Sequence, residues 1–476
     1  MNILIKRQLL KKVLLLLFFI LTFPKIFPDE LKDSVDAKQK RVLSLNDCIE
    51  IAIENNQAIK VSKEDINIAK AQIRQAESGY WPQLNFKTAY TLMDQDPNFI
   101  LPSSEMSLPL TLPGLSLNLD NIPVPEQNVK LMDKQNLHGE LSLTYPLYTG
   151  GKVQSVNKQA EYGYEIAKQK MRKTDQQVKY DVKRYYYAVV LTEKLYDIAK
   201  DALEKLNATL RITENFYKNG SGKVTKIDYL RNKVIVEQAS SLVYEIKGKL
   251  EKAKEALRFT LGSDIPAGFV VSSKEIPFNH YVFDADSIAK VAYHNNPDWL
   301  KINSAIEVYK SKVDEAQSGY LPSVALFGSL NQNINSYDYG VVSKDNKTIW
   351  TVGLGLEMPI FSGFRTSGEV DEAEAGLSKI KEQKQLLQSA ILLQVRNACS
   401  DIKITSGQVE KTLEAKKTAE ENTSLNERAY LQDMVETKDL IEAQIMESFI
   451  KAQYQKALYD HYDAQIRLEL IEGQNN

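Results

Sequence analysis

The sequence predicts a mostly α-helical chain carrying a membrane β-barrel, built from duplicated helix–strand–strand–helix repeats with four strands and long coiled-coil helices per chain. Three observations lead there. Prolines are absent from 147–265 and from everything after Pro359. Between the helical stretches lie segments that alternate apolar and polar residues. And one helix ending, AESGYWPQL (76–84), is written again as AQSGYLPSV (316–324), 240 positions later.

At the start, Lys6, Arg7, Lys11 and Lys12 precede the apolar run VLLLLFFILTF (13–23). A run of about eleven residues is too short to span a bilayer as a helix, which needs roughly twenty. A basic flank with such a core reads as a secretory signal peptide, assigned to 1–28. No cysteine follows it closely, so no lipid attachment signal is evident. A helix is then expected over 46–77, ended by Ser-Gly-Tyr-x-Pro. There Gly79 is expected to take the positive φ that closes a helix, and Pro82 to stop it resuming. Gly319 and Pro322 are expected to do the same in the second copy.

Strand signals follow. Leu84, Phe86, Tyr90 and Leu92 alternate with Gln83, Asn85, Lys87 and Thr91. Leu137, Leu141, Leu143 and Tyr145 alternate with His138, Glu140, Ser142 and Thr144. In the second half, Val324, Leu326 and Leu330 alternate with Ser323, Ser329 and Asn331. Trp350, Val352, Leu354 and Leu356 alternate with Thr351, Gly353, Gly355 and Glu357. Strands of about ten residues with one apolar face suit a bilayer, where roughly nine to eleven are needed. Tyr80, Trp81, Tyr145, Tyr148, Tyr320 and Phe361 gather where strand meets helix, as an interfacial aromatic girdle does. Four strands cannot close a barrel, whose smallest versions have about eight. The barrel is therefore expected to be shared between copies, two giving eight strands and three giving twelve. The proline-rich apolar segment 93–136 lies at the far end of the first hairpin, as a lid over the mouth or a loop.

The return to helix is marked twice, by YPLYTGGK (145–152) and MPIFSGFR (358–365), with Gly150, Gly151 and Gly363 allowing the chain to turn. Long helices are expected over Lys152–Lys218 and Arg365–Leu431. In the first, Val182, Val189, Tyr196, Leu203, Leu210 and Tyr217 recur every seven residues. In the second, Ile391, Val395, Ala398, Ile402, Thr405 and Val409 follow a 4-3 spacing. This is the seam of a coiled coil. At 1.5 Å per residue each helix would run to roughly 100 Å, a length that suits a stalk or tunnel. Shorter helices follow, over Lys226–Leu261 and 438–471, and a helix over 286–317 opens the second repeat. The chain thus divides into a first repeat 43–261 with its hairpin 83–147, a linker 262–285, and a second repeat 286–472 with its hairpin 323–360.

The duplicated ESGYWPQL/QSGYLPSV, the YPLYTGGK/MPIFSGFR pair, and VTKIDYL with ETKDLIEAQ after the long helices resemble the TolC-like outer-membrane efflux proteins. The likeness runs from Leu43 to Leu470, and the ordered set carries it rather than any single motif. It implies a homotrimer whose 12-stranded outer-membrane barrel continues into a 12-helix periplasmic tunnel. Residues 262–284 and the chain ends would form an equatorial belt. It further implies a passive exit duct of a tripartite efflux pump or type I secretion system, working with a periplasmic adaptor and an inner-membrane transporter. The tunnel of the family closes at its periplasmic tip. There Asp439 and Glu442 fall where constricting acids lie, Tyr430 on a tyrosine linking neighbouring helices, and Asp228 on an acid of the first repeat. An arginine that ties the closed tip in some members is replaced here by Val435. The rival reading is a periplasmic adaptor-type coiled-coil protein, which would carry one helical hairpin and no duplicated strand pairs.

No chemistry competes with this reading. The formal net charge is −2, which offers no footprint for nucleic acid. YKNGSGKVT (217–225) departs from the phosphate-binding loop at both ends, with Tyr217 and Val224 in place of the first glycine and the hydroxyl residue. It reads as a turn between helices, with Gly220 and Gly222 as breakers. Cys48 and Cys399, and His138, His280, His294 and His461, follow no metal-ligand spacing. No catalytic constellation, cofactor or metal is expected.

Overall fold

The structure, a computed structural model, describes residues 41–113, 115–220, 224–262, 265, 268–280, 284–337, 341 and 347–473. The expected signal segment and Gly222 lie outside them. Residues from Val42 onward form one compact unit, to which all that follows refers.

In chain order the first repeat contains β1 (Val42–Leu43), α1 (Leu45–Asn55), α2 (Gln57–Glu77), β2 (Gln83–Leu92), β3 (Asn98–Leu101), β4 (Ser104–Leu112), β5 (Leu115–Val124), β6 (Gln127–Lys130), β7 (Gln135–Tyr148), α3 (Lys152–Lys218) and α4 (Lys226–Leu261). After β8 (Val270–Val271) come α5 (Ala285–Asn295), α6 (Pro297–Gln317), β9 (Ser323–Asn335), β10 (Thr348–Glu357), α7 (Arg365–Leu431) and α8 (Thr437–Glu472).

The four long strands form one antiparallel sheet in the order β10-β9-β7-β2. Register places the apolar residues in continuous rows, Phe86–Leu141–Leu330–Trp350 and Leu84–Leu143–Gly328–Val352 among them. The opposite face carries rows such as Asn85–Ser142–Ser329–Thr351. A sheet apolar on one side and hydroxyl- and amide-rich on the other fits lipid outside and water inside. Two large apolar residues stand on the polar face, Phe327 opposite Gly353 and Ile349 opposite Asn331. The stretch 93–136 is strand-bearing, β3 pairing with β6 and β4 with β5, so the first hairpin continues as a two-stranded arm.

Both single helices expected before the strands are broken, at Asn56 and Asn296. Each Asn is extended (ψ 129° and 124°), and its side chain caps the next helix, Asn56 Oδ1 accepting from the Ala58 amide and Asn296 Oδ1 from Asp298 and Trp299. Pro297 reinforces the second break, because the residue before a proline disfavours the α region. The free amide of each Asn reaches a helix end from the other half of its repeat: Asn56 Nδ2 donates to Thr260 O at 2.8 Å, and Asn296 Nδ2 to Ile471 O at 2.9 Å. So α4 abuts α2, and α8 abuts α6, end to end. Each pair makes one interrupted column antiparallel to a long helix.

Four columns result, in the order α2/α4, α3, α6/α8, α7. This is the strand order again, since α2 feeds β2, β7 feeds α3, α6 feeds β9 and β10 feeds α7. Strands and helices are therefore open at the same two edges. Of the seam residues, Val182 and Val189 of α3 and Ile391, Val395, Ala398, Ile402 and Val409 of α7 are buried, as are Val178, Ala199 and Leu206 beside them. Tyr196, Leu203, Leu210 and Thr405 are half-buried, and Tyr217 is exposed. Tyr186 is also buried and ties α3 to the parallel β1–β8 pair: its hydroxyl donates to Leu43 O and accepts from the Ser273 amide.

The helix-to-strand turns correct the role expected of Gly79 and Gly319. Neither has positive φ; both sit in 3-10 turns, Ser78–Tyr80 and Ser318–Tyr320. Their lack of a side chain serves close packing instead. A Cβ at Gly79 would lie 3.0 Å from Val153 Cγ1, and one at Gly319 2.9 Å from Thr366 Cγ2. Pro82 and Pro322 hold Trp81 and Leu321 extended (ψ 150° and 153°) at the strand entry.

On the return the left-handed backbone is real: Gly150 (φ 63°), Gly151 (88°) and Gly363 (62°), with Phe364 also at 66°. A Cβ at Gly150 would meet Leu321 Cβ at 2.8 Å and Ser318 O at 2.9 Å, whereas nothing lies within 4 Å at Gly363. Gly150→Ala is therefore expected to cost about 1–3 kcal/mol and Gly363→Ala clearly less. Thermal unfolding of the two detergent-solubilised variants checks this, and equal melting temperatures would refute it.

Candidate functional site at the helical tips

The chain reverses twice at the end of the helical layer far from the sheet, between α3 and α4 and between α7 and α8. The two reversals are built alike. Gly220 (φ 63°) and Asp433 (φ 61°) provide the left-handed residue after each long helix. Thr225 and Glu436 then cap the returning helices, with Asp228 and Asp439 at the third helical position of each. The Thr225 amide donates to Asp228 Oδ2 at 3.0 Å, and the Thr225 hydroxyl donates to the same oxygen at 2.6 Å. In the second hairpin the Glu436 amide donates to Asp439 Oδ2 at 3.2 Å.

Two of the expected aperture acids are thus engaged in capping boxes. The spacings T-x-x-D and E-x-x-D carried that signal in the sequence, and it was not read there. Hydrogen bonds from the Thr225 hydroxyl and amide hold the Asp228 carboxyl below its ordinary value. Glu442, one turn beyond Asp439, is exposed and 3.6 Å from Lys438. Tyr430 is half-buried, its hydroxyl 3.1 Å from Thr437 Oγ1 across the turn. The structure therefore groups Tyr430, Asp439 and Glu442 in one hairpin and places Asp228 in the other, where Tyr217 and Tyr229 stack at 5.6 Å.

Behind the tips, polar groups join the columns. Thr209 Oγ1 bonds Gln444 at 3.3 Å and Thr423 Oγ1 donates to Ala443 O at 3.0 Å. Glu447, with its side chain only 6% exposed, accepts from Lys205 of α3 at 3.2 Å and from Lys451. Lys451 also reaches Glu420 of α7 at 3.3 Å. Burial pushes the Glu447 carboxyl up, but the hydrogen bonds from Lys451 and Lys205 outweigh it and hold the carboxyl below its ordinary value. This cluster links three columns, and no periodicity in the sequence announced it.

Because the folded-state pKa of both Glu447 and Asp228 is depressed, their contribution is present above the unfolded carboxylate range near 4 and is lost as pH falls through the lower folded values. Glu447→Gln is expected to cost about 2–3 kcal/mol at neutral pH and to flatten the fall in melting temperature between pH 5 and 3. A variant that melts like the wild type at pH 7 would show the cluster to be idle.

Among the described residues no group of histidine, cysteine, aspartate and glutamate is arranged to hold a metal ion, and no helix is long and apolar enough to cross a membrane. His461 is buried, with Nδ1 3.1 Å from Thr405 Oγ1 and Nε2 3.1 Å from Asn279 O. Of the junction aromatics Tyr80, Trp81, Tyr148, Tyr320 and Phe361 are exposed, while Tyr145 is half-buried.

The profile of a known family, described as outer membrane efflux protein, matches residues 48–263 and 289–474. The chain belongs to that family. The two matched segments fall one in each half of the chain. Among relatives, the cation efflux system protein CusC of Escherichia coli O157:H7 is 20% identical over 325 residues, covering 68% of this chain and 62% of CusC. The outer membrane protein TolC of Vibrio cholerae is 20% identical over 227 residues, 48% of this chain and 51% of TolC. The chain thus matches less than two thirds of the length of either. Among solved structures, a membrane protein from Pseudomonas aeruginosa superposes with a TM-score of 0.73 at 17% identity, covering 90% of this chain and 92% of the other. The architecture is therefore that of the family's channels, long helices and strand layer included.

Proposed function

We propose that this chain is one third of an exit duct: three copies form an outer-membrane barrel that continues into a periplasmic helical tunnel. The observation that carries the reading is the common edge. The sheet ends in unpaired β2 and β10, and the helical layer ends in α2/α4 and α7 above the same two edges. Neighbours in the sheet are antiparallel throughout, so β10 and β2 run in opposite directions and copies can join edge to edge without breaking the alternation. In lipid an unjoined edge would cost several kcal/mol per unpaired backbone group. Three copies supply twelve strands and twelve columns.

Exposed apolar residues support the same closure. On the edge columns they include Val61, Ile68, Ile227, Leu230, Val234, Leu386, Leu393 and Ile404. In the proposed assembly these positions would be covered by the neighbouring copies.

Passage needs no chemistry from the wall. In this reading the duct serves a tripartite efflux pump or a type I secretion system, receiving cargo from an inner-membrane transporter through a periplasmic adaptor. The tips form the periplasmic aperture. Three copies of Asp439 and Glu442 around the axis would make the narrowest part anionic and attract cations. Tyr430 and Asp228 hold the two hairpins in shape beside them. Single-channel recording in planar bilayers tests this. The wild type should pass a small, cation-preferring current, and Asp439→Asn with Glu442→Gln should lose the preference. An unchanged preference would remove the acids from the aperture, and no current from verified assemblies would overturn the duct.

A further inference from the structure

Phe327 is the one aromatic residue of β9 and β10 on the polar face, and it is 42% exposed there. The wall around it is shaped to receive it. A Cβ at Gly353 would lie 2.6 Å from Phe327 Cζ, and at Gly355 3.7 Å from Cδ1 and Cε1. The ring thus lies over two glycines of the neighbouring strand, filling the space their missing side chains leave. Register completes the surroundings: Thr144–Phe327–Gly353 form one row, and Pro146–Ala325–Gly355 the next. These rows bring Phe327, Ala325, Pro146 and two glycines together on a face that is otherwise rich in serine, threonine and asparagine. Two glycines in strand interiors weaken a sheet unless something needs the close approach.

We infer that this patch is a cargo subsite on the inner wall of the duct, one per chain, where the Phe327 ring receives the flat apolar or aromatic part of a passing organic molecule. The inference rests on the duct reading, because only there does the polar face line a lumen. Several features of the patch suit the task. A ring backed by glycine is held flat and offers its face, the geometry for stacking and for cation–π contact. Glycine, alanine and proline on one side of the ring leave it little to desolvate there, while Thr144 stands opposite it in the same row. Threefold symmetry would place three such patches in one ring at a single depth of the wall.

The test uses the intact assembly in a planar bilayer, with tetraphenylphosphonium added on the outer side as an aromatic cation. Wild type should show concentration-dependent block of the current. Phe327→Tyr should keep it. Phe327→Leu, which still fills the space over Gly353 and Gly355, should weaken block about tenfold, the loss of roughly one cation–π contact. Melting temperatures separate a structural role: if the ring only supports the glycines, Leu should preserve both stability and block. Block unchanged in Phe327→Leu, or current without any block in the wild type, overturns the subsite while leaving the duct intact. Absence of current altogether overturns the duct, and the subsite with it.

Discussion

A chain carrying both Leu386→Glu and Leu393→Glu will keep its helical content and fail to assemble. The two leucines lie seven residues apart on α7, 71% and 60% exposed in the single chain, so changing them disturbs little of their own chain's packing. In the proposed duct α7 meets the α2/α4 column of the next copy. Each leucine buried there contributes about 1.5–3 kcal/mol, and a carboxylate left unpaired in the same seam costs several more. The penalty recurs at each of the three seams. Size-exclusion chromatography with light scattering in detergent reads the outcome, and far-UV circular dichroism confirms the helices. Assembly at wild-type yield would mean that α7 does not meet another copy.

Gly473→Ala will uncouple the two halves of the second interrupted column. Gly473 has φ 71°, and a Cβ there would lie 2.5 Å from Asn295 O and 2.8 Å from Asn296 N. Both are backbone atoms, so no rotamer relieves the clash. The joint must open, releasing the Asn296–Ile471 bond and the bonds that Arg172 and Gln176 donate to Gly473 O. The expected cost is about 2–4 kcal/mol. Gly262→Ala, at the equivalent joint of the first repeat, should cost less. Its closest contact would be the Asn55 Cβ at 3.0 Å, with Asn55 O at 3.2 Å. Thermal unfolding of the two variants checks the ranking, and equal loss would show that the joints do not depend on close backbone approach.

What the sequence made legible follows from what periodicity can carry. The 67-residue helices α3 and α7 were readable because proline is absent and a seven-residue apolar repeat has one structural meaning over that length. The strands were readable because one face is largely apolar and the other largely polar, so the sequence alternates. The breaks at Asn56 and Asn296 were not read, although NNQ and NNP repeat at a fixed offset. An asparagine inside a helical pattern is a weak stop, and its meaning lies in the carbonyl of Thr260 or Ile471, some two hundred residues away. Gly79 and Gly319 were read as left-handed because glycine at a helix end usually is; the contact with Val153 and Thr366 that explains them is tertiary.

At the tips the sequence places turns after both long helices, and the structure has them there. Asp228 and Asp439 shape the start of their helices whatever else they do. Glu447, which joins three columns, looks in the sequence like any surface glutamate of an amphipathic helix. Phe327 was passed over in the same way, since an aromatic residue in a strand draws notice only once register shows which face it occupies.

In the proposed duct three chains complete one barrel and one tunnel. Native mass spectrometry of the detergent-extracted protein measures that number directly. Particles of three chains are predicted, persisting through delipidation and falling to single chains in the Leu386→Glu/Leu393→Glu variant. A stable, folded single chain from the wild type would contradict the claim, because its sheet would then have two open edges and no copy to close them.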